Sequence, residues 1–134
     1  MAVDSPSVTI RSQEVDLDDA TADALHGRVD VAFAVDYADA PLPRHDNISM
    51  IGIRQEDFAI ASSADESGGD GPIRLGELRT RAWILPPASS QYGTALLTGL
   101  RRRGIEPAVA HEATDTAASL HLAPVPLGLT SSRR

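Results

Sequence analysis

The chain has 134 residues, of which 42% are hydrophobic, enough to build the core of one ordinary domain. Its formal net charge of −7 disfavours direct binding to DNA or RNA, because affinity for the phosphate backbone comes largely from basic side chains that displace counterions. The lack of cysteine excludes disulfide bonds and thiolate metal sites, and no apolar run approaches the roughly 18 residues that a membrane-spanning helix needs.

The first part of the chain predicts a strand, a helix and a second strand. Residues 7–15 are rich in β-branched side chains, which favours a strand. The acidic cluster at 16–19 suits the start of a helix, where carboxylates cap free amides, and Gly27 suits its end. Residues 29–35 are almost continuously apolar, and we expect a buried strand there, covered on both faces by helices.

The middle of the chain predicts mainly strands. Residues 36–47 are polar and contain prolines, which indicates a connection. The remaining segments are predicted, in order, as a strand at 48–54, a strand at 58–62, a flexible loop at 63–72, a short helix at 75–79 and a strand at 82–85.

The clearest helix is predicted at 90–103. A serine can cap its start, leucines recur on one face, and three arginines precede Gly104 at its end. A short strand should follow at 107–111, and then a helix from Thr114 or Asp115 to Leu120. The alternation of strands and helices indicates an α/β domain with a mostly parallel sheet and helices on both faces.

Several motifs in a fixed order carry a family resemblance. They are residues 24–35 (ALHGRVDVAFAV), residues 75–78 (LGEL) with 82–87 (AWILPP), and residues 103–112 (RGIEPAVAHE). Together they resemble the effector-binding domain of LysR-type transcriptional regulators, and the similarity covers roughly residues 7–120.

The resemblance implies a two-subdomain fold like that of type 2 periplasmic binding proteins, incomplete here at both ends. We expect a disordered N-terminus at 1–6, part of a first subdomain at 7–36 and a second subdomain at 37–122. We expect an irregular tail at 123–134, because two prolines at alternate positions cannot donate hydrogen bonds to a strand ladder.

The resemblance also implies a sensor that captures a small-molecule effector between two subdomains. No segment of this chain resembles the helix-turn-helix of such regulators, so DNA contact is expected only through that missing segment; one hypothesis is a truncated or frame-shifted gene product. We expect a cytoplasmic protein that forms a homodimer or otherwise self-associates.

Ser89, Ser90 and Gln91 are the best candidates for effector contacts. They follow a predicted strand and begin a predicted helix, where free amides and the positive end of the helix dipole favour a carboxylate or another small anion. The alternative is that one serine only caps the helix and the other side chains are solvated.

Two further groups complete the candidate site. In the family, Val35, Asp36 and Tyr37 occupy the passage from the first subdomain to the second, so they either line the site or act as a hinge; an ordinary strand end and turn is the alternative. Thr114 and Asp115 lie at another predicted strand-to-helix corner, where a plain helix cap explains them equally well.

Nothing in the sequence indicates catalysis, a metal site or a cofactor. The acidic glycine-rich stretch at 65–71 lacks the spacing of a calcium loop, and no nucleophile or phosphate-loop motif is present. Two other functions share the expected fold, a solute-binding protein of a transport system and an enzyme. The chain shows neither an export signal for the first nor a catalytic constellation for the second.

Overall fold

The computed structural model describes residues 7–61, 74–115, 118 and 128–131. The expectations for 1–6 and 63–72, and for most of the helix at 114–120, lie outside these residues. The chain divides into two compact units, Met1–Val35 and Asp36–Arg134. Its elements are α1 (Leu17–Leu25), β1 (Phe58–Ala61), α2 (Leu75–Leu78), β2 (Ala82–Leu85), α3 (Gln91–Arg102), β3 (Ala108–Glu112) and β4 (Gly128–Ser131).

Helix α1 of the first unit begins and ends where the sequence predicts. The carboxylate of Asp16 accepts a hydrogen bond from the amide of Asp18 at 3.1 Å, which caps the first turn. At the other end Gly27 adopts a φ of 68°, and its amide donates to the carbonyl oxygen of Ala24 at 3.1 Å. This left-handed conformation is one that glycine adopts without steric cost, so the glycine stop is confirmed.

Three segments that we expected to be strands are not strands. Residues 7–15, 29–35 and 48–54 have no ladder partner among the residues that the structure describes. The expectation of a buried strand at 29–35 is therefore wrong, and Val31 and Phe33 are exposed there. A strand forms when a neighbour accepts and donates its backbone hydrogen bonds, and an apolar pattern alone does not supply that neighbour.

The second unit contains one parallel and one antiparallel strand pair. β2 pairs in parallel with β3, with an irregularity of register between Trp83 and Ile84, and β1 pairs antiparallel with β4. β4 lies within 123–134, where we expected irregular backbone. Pro124 and Pro126 both precede this strand, so neither removes a donor from its ladder. The described elements form a mixed α/β arrangement that includes a parallel pair.

The core of the second unit lies between β2 and α3. Its buried members are Leu78, Trp83, Leu85, Leu96, Leu100 and Ile105. The indole of Trp83 is fully buried, and its Nε1 donates to the carbonyl oxygen of Leu78 at 3.1 Å, which satisfies the single polar group of the ring. Each large side chain buried in this way contributes about 1.5–3 kcal/mol. The packing therefore fixes α3 against β2, and with it the turn that joins them.

Candidate functional site

The turn between β2 and α3 is held by Ser90. Its Oγ accepts a hydrogen bond from the amide of Gly93 at 3.0 Å and donates to the carbonyl oxygen of Pro87 at 2.8 Å. The Ser90 amide donates to the same Pro87 oxygen at 3.0 Å. Ser90 is thus the N-cap of α3, as the capping interpretation of the sequence requires, and it closes the turn on both sides.

Gly93 lets the first turn of α3 approach this loop closely. A Cβ atom at this position would lie 2.1 Å from the carbonyl oxygen of Pro87 and 2.8 Å from that of Pro86. Both contacts are with backbone atoms, which cannot rotate away. A side chain at this position would therefore push α3 off the turn.

The N-terminal end of α3 carries no acidic side chain in its first turn, while Arg101 and Arg102 lie in its last turn. In α1, by contrast, Asp18 and Asp19 occupy the first turn. Carboxylates of its own first turn therefore lie at the positive end of the α1 dipole, whereas the first turn of α3 supplies no carboxylate. Beside this end of α3, Ser89 is exposed.

The parallel pairing brings the two predicted strand-to-helix connections of the candidate site to one edge of the sheet. Leu85, the last residue of β2, is paired with Glu112, the last residue of β3, and the amide of Ala113 donates to the Leu85 carbonyl oxygen at 3.0 Å. Residues 86–91 and residues 113–115 therefore leave the sheet at the same carboxyl edge. The exposed residues Thr114 and Asp115 lie at the edge from which Ser89, Ser90 and Gln91 also emerge.

The turn Tyr37–Ala40 packs on the first turn of α3. The ring of Tyr37 stacks on that of Tyr92, with centroids 5.7 Å apart, and on that of Phe58 at 5.9 Å. The side chain of Gln91 donates from Nε2 to the carbonyl oxygen of Ala40 at 3.3 Å. The structure thus brings the predicted residues Tyr37 and Gln91 to the same end of α3, and Tyr37 is buried there.

The same turn contacts the other end of α3. The carboxylate of Asp39 forms an ion pair with Arg102 and lies 3.9 Å from the guanidinium of Arg103. It also lies so close to Gly99 that a Cβ there would be 2.7 Å from its Oδ2. The residues that follow the first unit are therefore fastened along the whole length of α3.

Asp36 braces the connection that it begins. Its carboxylate accepts a hydrogen bond from the amide of Leu42 at 2.8 Å and another from Arg44. The Leu42 amide, and after it the Arg44 guanidinium, hold the pKa of Asp36 below its ordinary value of 3.8. Val35 belongs to the other unit and is exposed. Asp36 is therefore charged at neutral pH and engaged with its own loop.

Sequence reasoning missed the aromatic cluster of Tyr37, Phe58 and Tyr92. The rings of Phe58 and Tyr92 lie 5.8 Å apart, so each of the three contacts the other two. These residues belong to a connection, a strand and a helix that are far apart in the sequence, and no periodic pattern links them.

The described residues contain no cluster of side chains that could hold a metal ion. None of the helices in this part of the chain has the length and apolar character to cross a membrane.

Comparison with known proteins assigns this mixed α/β chain to a class of ligand-binding domains. The sequence profile of the LysR substrate binding domain matches residues 3–130. The chain belongs to the LysR substrate-binding domain family, and the resemblance stated from the sequence is confirmed.

A curated relative points the same way. The HTH-type transcriptional regulator TcbR of Pseudomonas sp. (strain P51) is 27% identical over 121 residues, which cover 88% of this chain and 40% of that protein. The chain thus spans about 40% of the length of the curated relative that it matches. No solved structure matches the chain significantly. The chain is an effector-binding domain of the LysR type, and neither a transport protein nor an enzyme is favoured.

Proposed function

We propose that this chain senses a small carboxylate, or a similar small anion, at the carboxyl edge of the β2–β3 pair. The observation that carries the proposal is the pairing of Leu85 with Glu112, because it places the start of α3 beside the residues that follow β3. Ligands of open α/β sheets bind outside the carboxyl ends of parallel strands. The first turn of α3 carries no acidic side chain, so an anion there would meet no repulsion from the helix itself.

The side chains at this edge have distinct proposed roles. Ser89 is exposed and offers a hydroxyl donor, and Gln91 offers an amide at the same corner. Ser90 contributes by holding the turn, because its hydroxyl donates to Pro87 and accepts from the amide of Gly93. Across the edge Thr114 offers a second hydroxyl, and the Asp115 carboxylate would select against an effector that is anionic at both ends.

The residues that lead into this unit are proposed to transmit the binding event. Asp36 and Tyr37 follow the first unit directly, and Tyr37 rests on Tyr92 in the first turn of α3. Val35 is the last residue of the first unit and is separated from Tyr37 only by Asp36. A displacement of the first turn of α3 that moves Tyr37 would therefore act on Val35 through the backbone. We propose that Val35, Asp36 and Tyr37 serve as a hinge.

The wider proposal follows the family. The chain would form subdomains at 7–36 and 37–122 of a periplasmic-binding-protein-like fold, with helices on both faces of a mostly parallel sheet. It would work as a homodimer in the cytoplasm, without catalysis, and would affect DNA only through a helix-turn-helix segment of the regulator.

A thermal-shift titration tests the proposed site. Acetate and benzoate are used as probes, because a ligand that binds only the folded state raises the apparent melting temperature by mass action. We expect at least one probe to raise it in the natural chain. The variant Ser89→Asp places a carboxylate at the proposed site, and we expect it to abolish the shift through like-charge repulsion.

The matched control is Ser12→Asp, which adds the same charge at an exposed position of the other unit. We expect this variant to keep the response of the natural chain. A response that survives in Ser89→Asp, or that disappears equally in both variants, would contradict the proposed position of the site.

A further inference from the structure

Met50 lies on the surface of the second unit with its sulfur in contact with a cation. Its side chain is 39% exposed, and apart from Met1 it is the only methionine of the chain. The guanidinium of Arg44 donates from Nη1 to the Sδ atom of Met50. A thioether sulfur is a weak acceptor, so this contact uses a strong donor on a poor partner. The side chain is therefore open to solvent, and its sulfur lies next to a donor that an oxygen atom would satisfy better.

The same guanidinium braces the connection that begins at Asp36. Nη2 of Arg44 donates to Asp36 at 2.5 Å, and the other carboxylate oxygen accepts from the amide of Leu42 at 2.8 Å. Leu42 is buried, whereas the side chains of Asp36 and Arg44 are exposed. Arg44 thus links the sulfur of Met50 to Asp36 and, through Asp36, to the backbone at Leu42. A chemical change at the sulfur would reach all three residues.

An exposed thioether reacts with peroxides. The sulfur gives up two electrons, the O–O bond of hydrogen peroxide breaks, and one of its oxygens forms an S–O bond. The other oxygen leaves with both protons as water. The product is a sulfoxide, which methionine sulfoxide reductases convert back to the thioether. Because Met50 is exposed, its sulfoxide oxygen would stay in a polar environment and would not disrupt a core.

A sulfoxide oxygen suits Arg44 better than the sulfur does. This oxygen carries a partial negative charge and accepts a hydrogen bond from a cation strongly. Rotation about the Cγ–Sδ bond of Met50 turns it towards Nη1, and Nη2 stays with Asp36, because a guanidinium has five N–H donors. Oxidation therefore replaces the weakest contact of Arg44 with a stronger one and leaves its contact with Asp36 in place.

We propose that Met50 is a reversible oxidation site, where a peroxide produces a sulfoxide that Arg44 binds through Nη1. The modified residue holds Arg44 more firmly and so stiffens the contacts of Asp36 with Arg44 and Leu42. The connection that it stiffens contains the turn Tyr37–Ala40, which packs on the first turn of α3. Met50 and Arg44 are not among the side chains proposed to contact the effector, so the site is tested without any ligand.

Treatment of the folded chain with hydrogen peroxide tests the site, and peptide mass spectrometry locates the added oxygen. We expect Met50 to gain one oxygen atom while the chain stays folded. The Leu42 amide should then exchange with deuterium about threefold or more slowly, because its acceptor Asp36 is held more firmly. Met50→Leu, which keeps Met1, is the matched control. We expect the same treatment to leave its exchange at Leu42 unchanged.

Arg44→Gln distinguishes the proposed site from an ordinary exposed methionine. Met50 of this variant should still be oxidised, but without the guanidinium the exchange at Leu42 should not slow. Met50→Gln gives an independent comparison, because its amide oxygen can accept from Arg44 as the sulfoxide oxygen does. We expect Leu42 to exchange more slowly in Met50→Gln than in Met50→Leu, without any peroxide. If Arg44→Gln fails to fold, this second comparison decides in its place.

Three results would overturn the inference. One is a Met50 that resists a peroxide concentration at which free methionine is oxidised. Another is an exchange rate at Leu42 that is unchanged or faster in the oxidised natural chain. The third is a slowing of the same size in the natural chain and in Arg44→Gln, which would show that the guanidinium does not bind the sulfoxide.

Discussion

Gln91 donates a hydrogen bond to the carbonyl oxygen of Ala40, 51 positions earlier in the chain, at 3.3 Å. This contact joins the first turn of α3 to the connection that follows the first unit. The stacking of Tyr37 on Tyr92 joins the same two regions. A ligand that engages Gln91 at the carboxyl edge of the sheet would therefore act directly on the residues that lead to Val35.

Gly93→Ala should destabilise the fold by about 1–3 kcal/mol, because the added methyl group would overlap the backbone of Pro87. Gly76→Ala is the matched control, since a Cβ there meets nothing within 4 Å. We expect that control to be neutral or more stable, by up to about 1 kcal/mol. Urea unfolding followed by the fluorescence of Trp83 measures both. Equal effects of the two substitutions would show that the close approach at Gly93 is not a constraint.

Ser90→Ala should cost about 0.5–2 kcal/mol of folding free energy, because it removes the cap of the α3 helix. Ser89→Ala, at the exposed neighbouring position, should change the stability little. Thermal unfolding of the two variants separates the capping residue from the proposed ligand contact. A larger loss for Ser89→Ala would reverse the roles that the structure gives to these serines.

Gly104→Ala should destabilise the chain by about 1–2 kcal/mol, because the residue adopts a φ of 72° at the end of α3. In this conformation the Gly104 amide donates to Arg101 at 2.9 Å, and the Ile105 amide donates to Leu100 at 3.0 Å. Gly52→Ala is the control, with neither a positive φ nor a close neighbour. Chemical unfolding that finds no difference between the two variants would contradict this.

The charge of Asp36 should contribute to stability at neutral pH and not in acid. Its pKa is lowered on folding, so the contribution is fully present above the ordinary value of 3.8 and is lost as the pH falls through the lower pKa of the folded state. Asp36→Asn keeps an acceptor for the Leu42 amide but removes the charge that Arg44 neutralises. We expect the natural chain to exceed this variant in stability at about pH 7 and to lose that advantage towards about pH 3. Urea unfolding across this range measures the difference, and an advantage that grows in acid would contradict the assignment.

The sequence predicted best what is decided locally. Helix α3 begins directly after its cap Ser90 and ends before Gly104, because capping and dipole signals act within a single turn, and β2 ends at the prolines that follow it. The alternation of elements predicted parallel pairing, and β2 does pair in parallel with β3.

The failures concern distant partners. The apolar pattern at 29–35 predicted a buried strand, but pairing depends on a second segment that the pattern does not specify. Asp39 and Arg102 are 63 positions apart, and no local sequence pattern predicts their contact. The sequence identified Ser90 as a possible cap of α3. It did not predict that the turn Tyr37–Ala40 packs on the first turn of this helix.

Residue-resolved NMR titration tests the central claim most directly, with acetate and benzoate added to the isotope-labelled chain. We predict that the amide shifts that follow ligand concentration are concentrated at residues 86–93 and 113–115, with a smaller response at 36–42 transmitted through Ala40 and Tyr37. Saturable shifts confined to other parts of the chain, with 86–93 unchanged, would contradict an effector site at the carboxyl edge of β2 and β3.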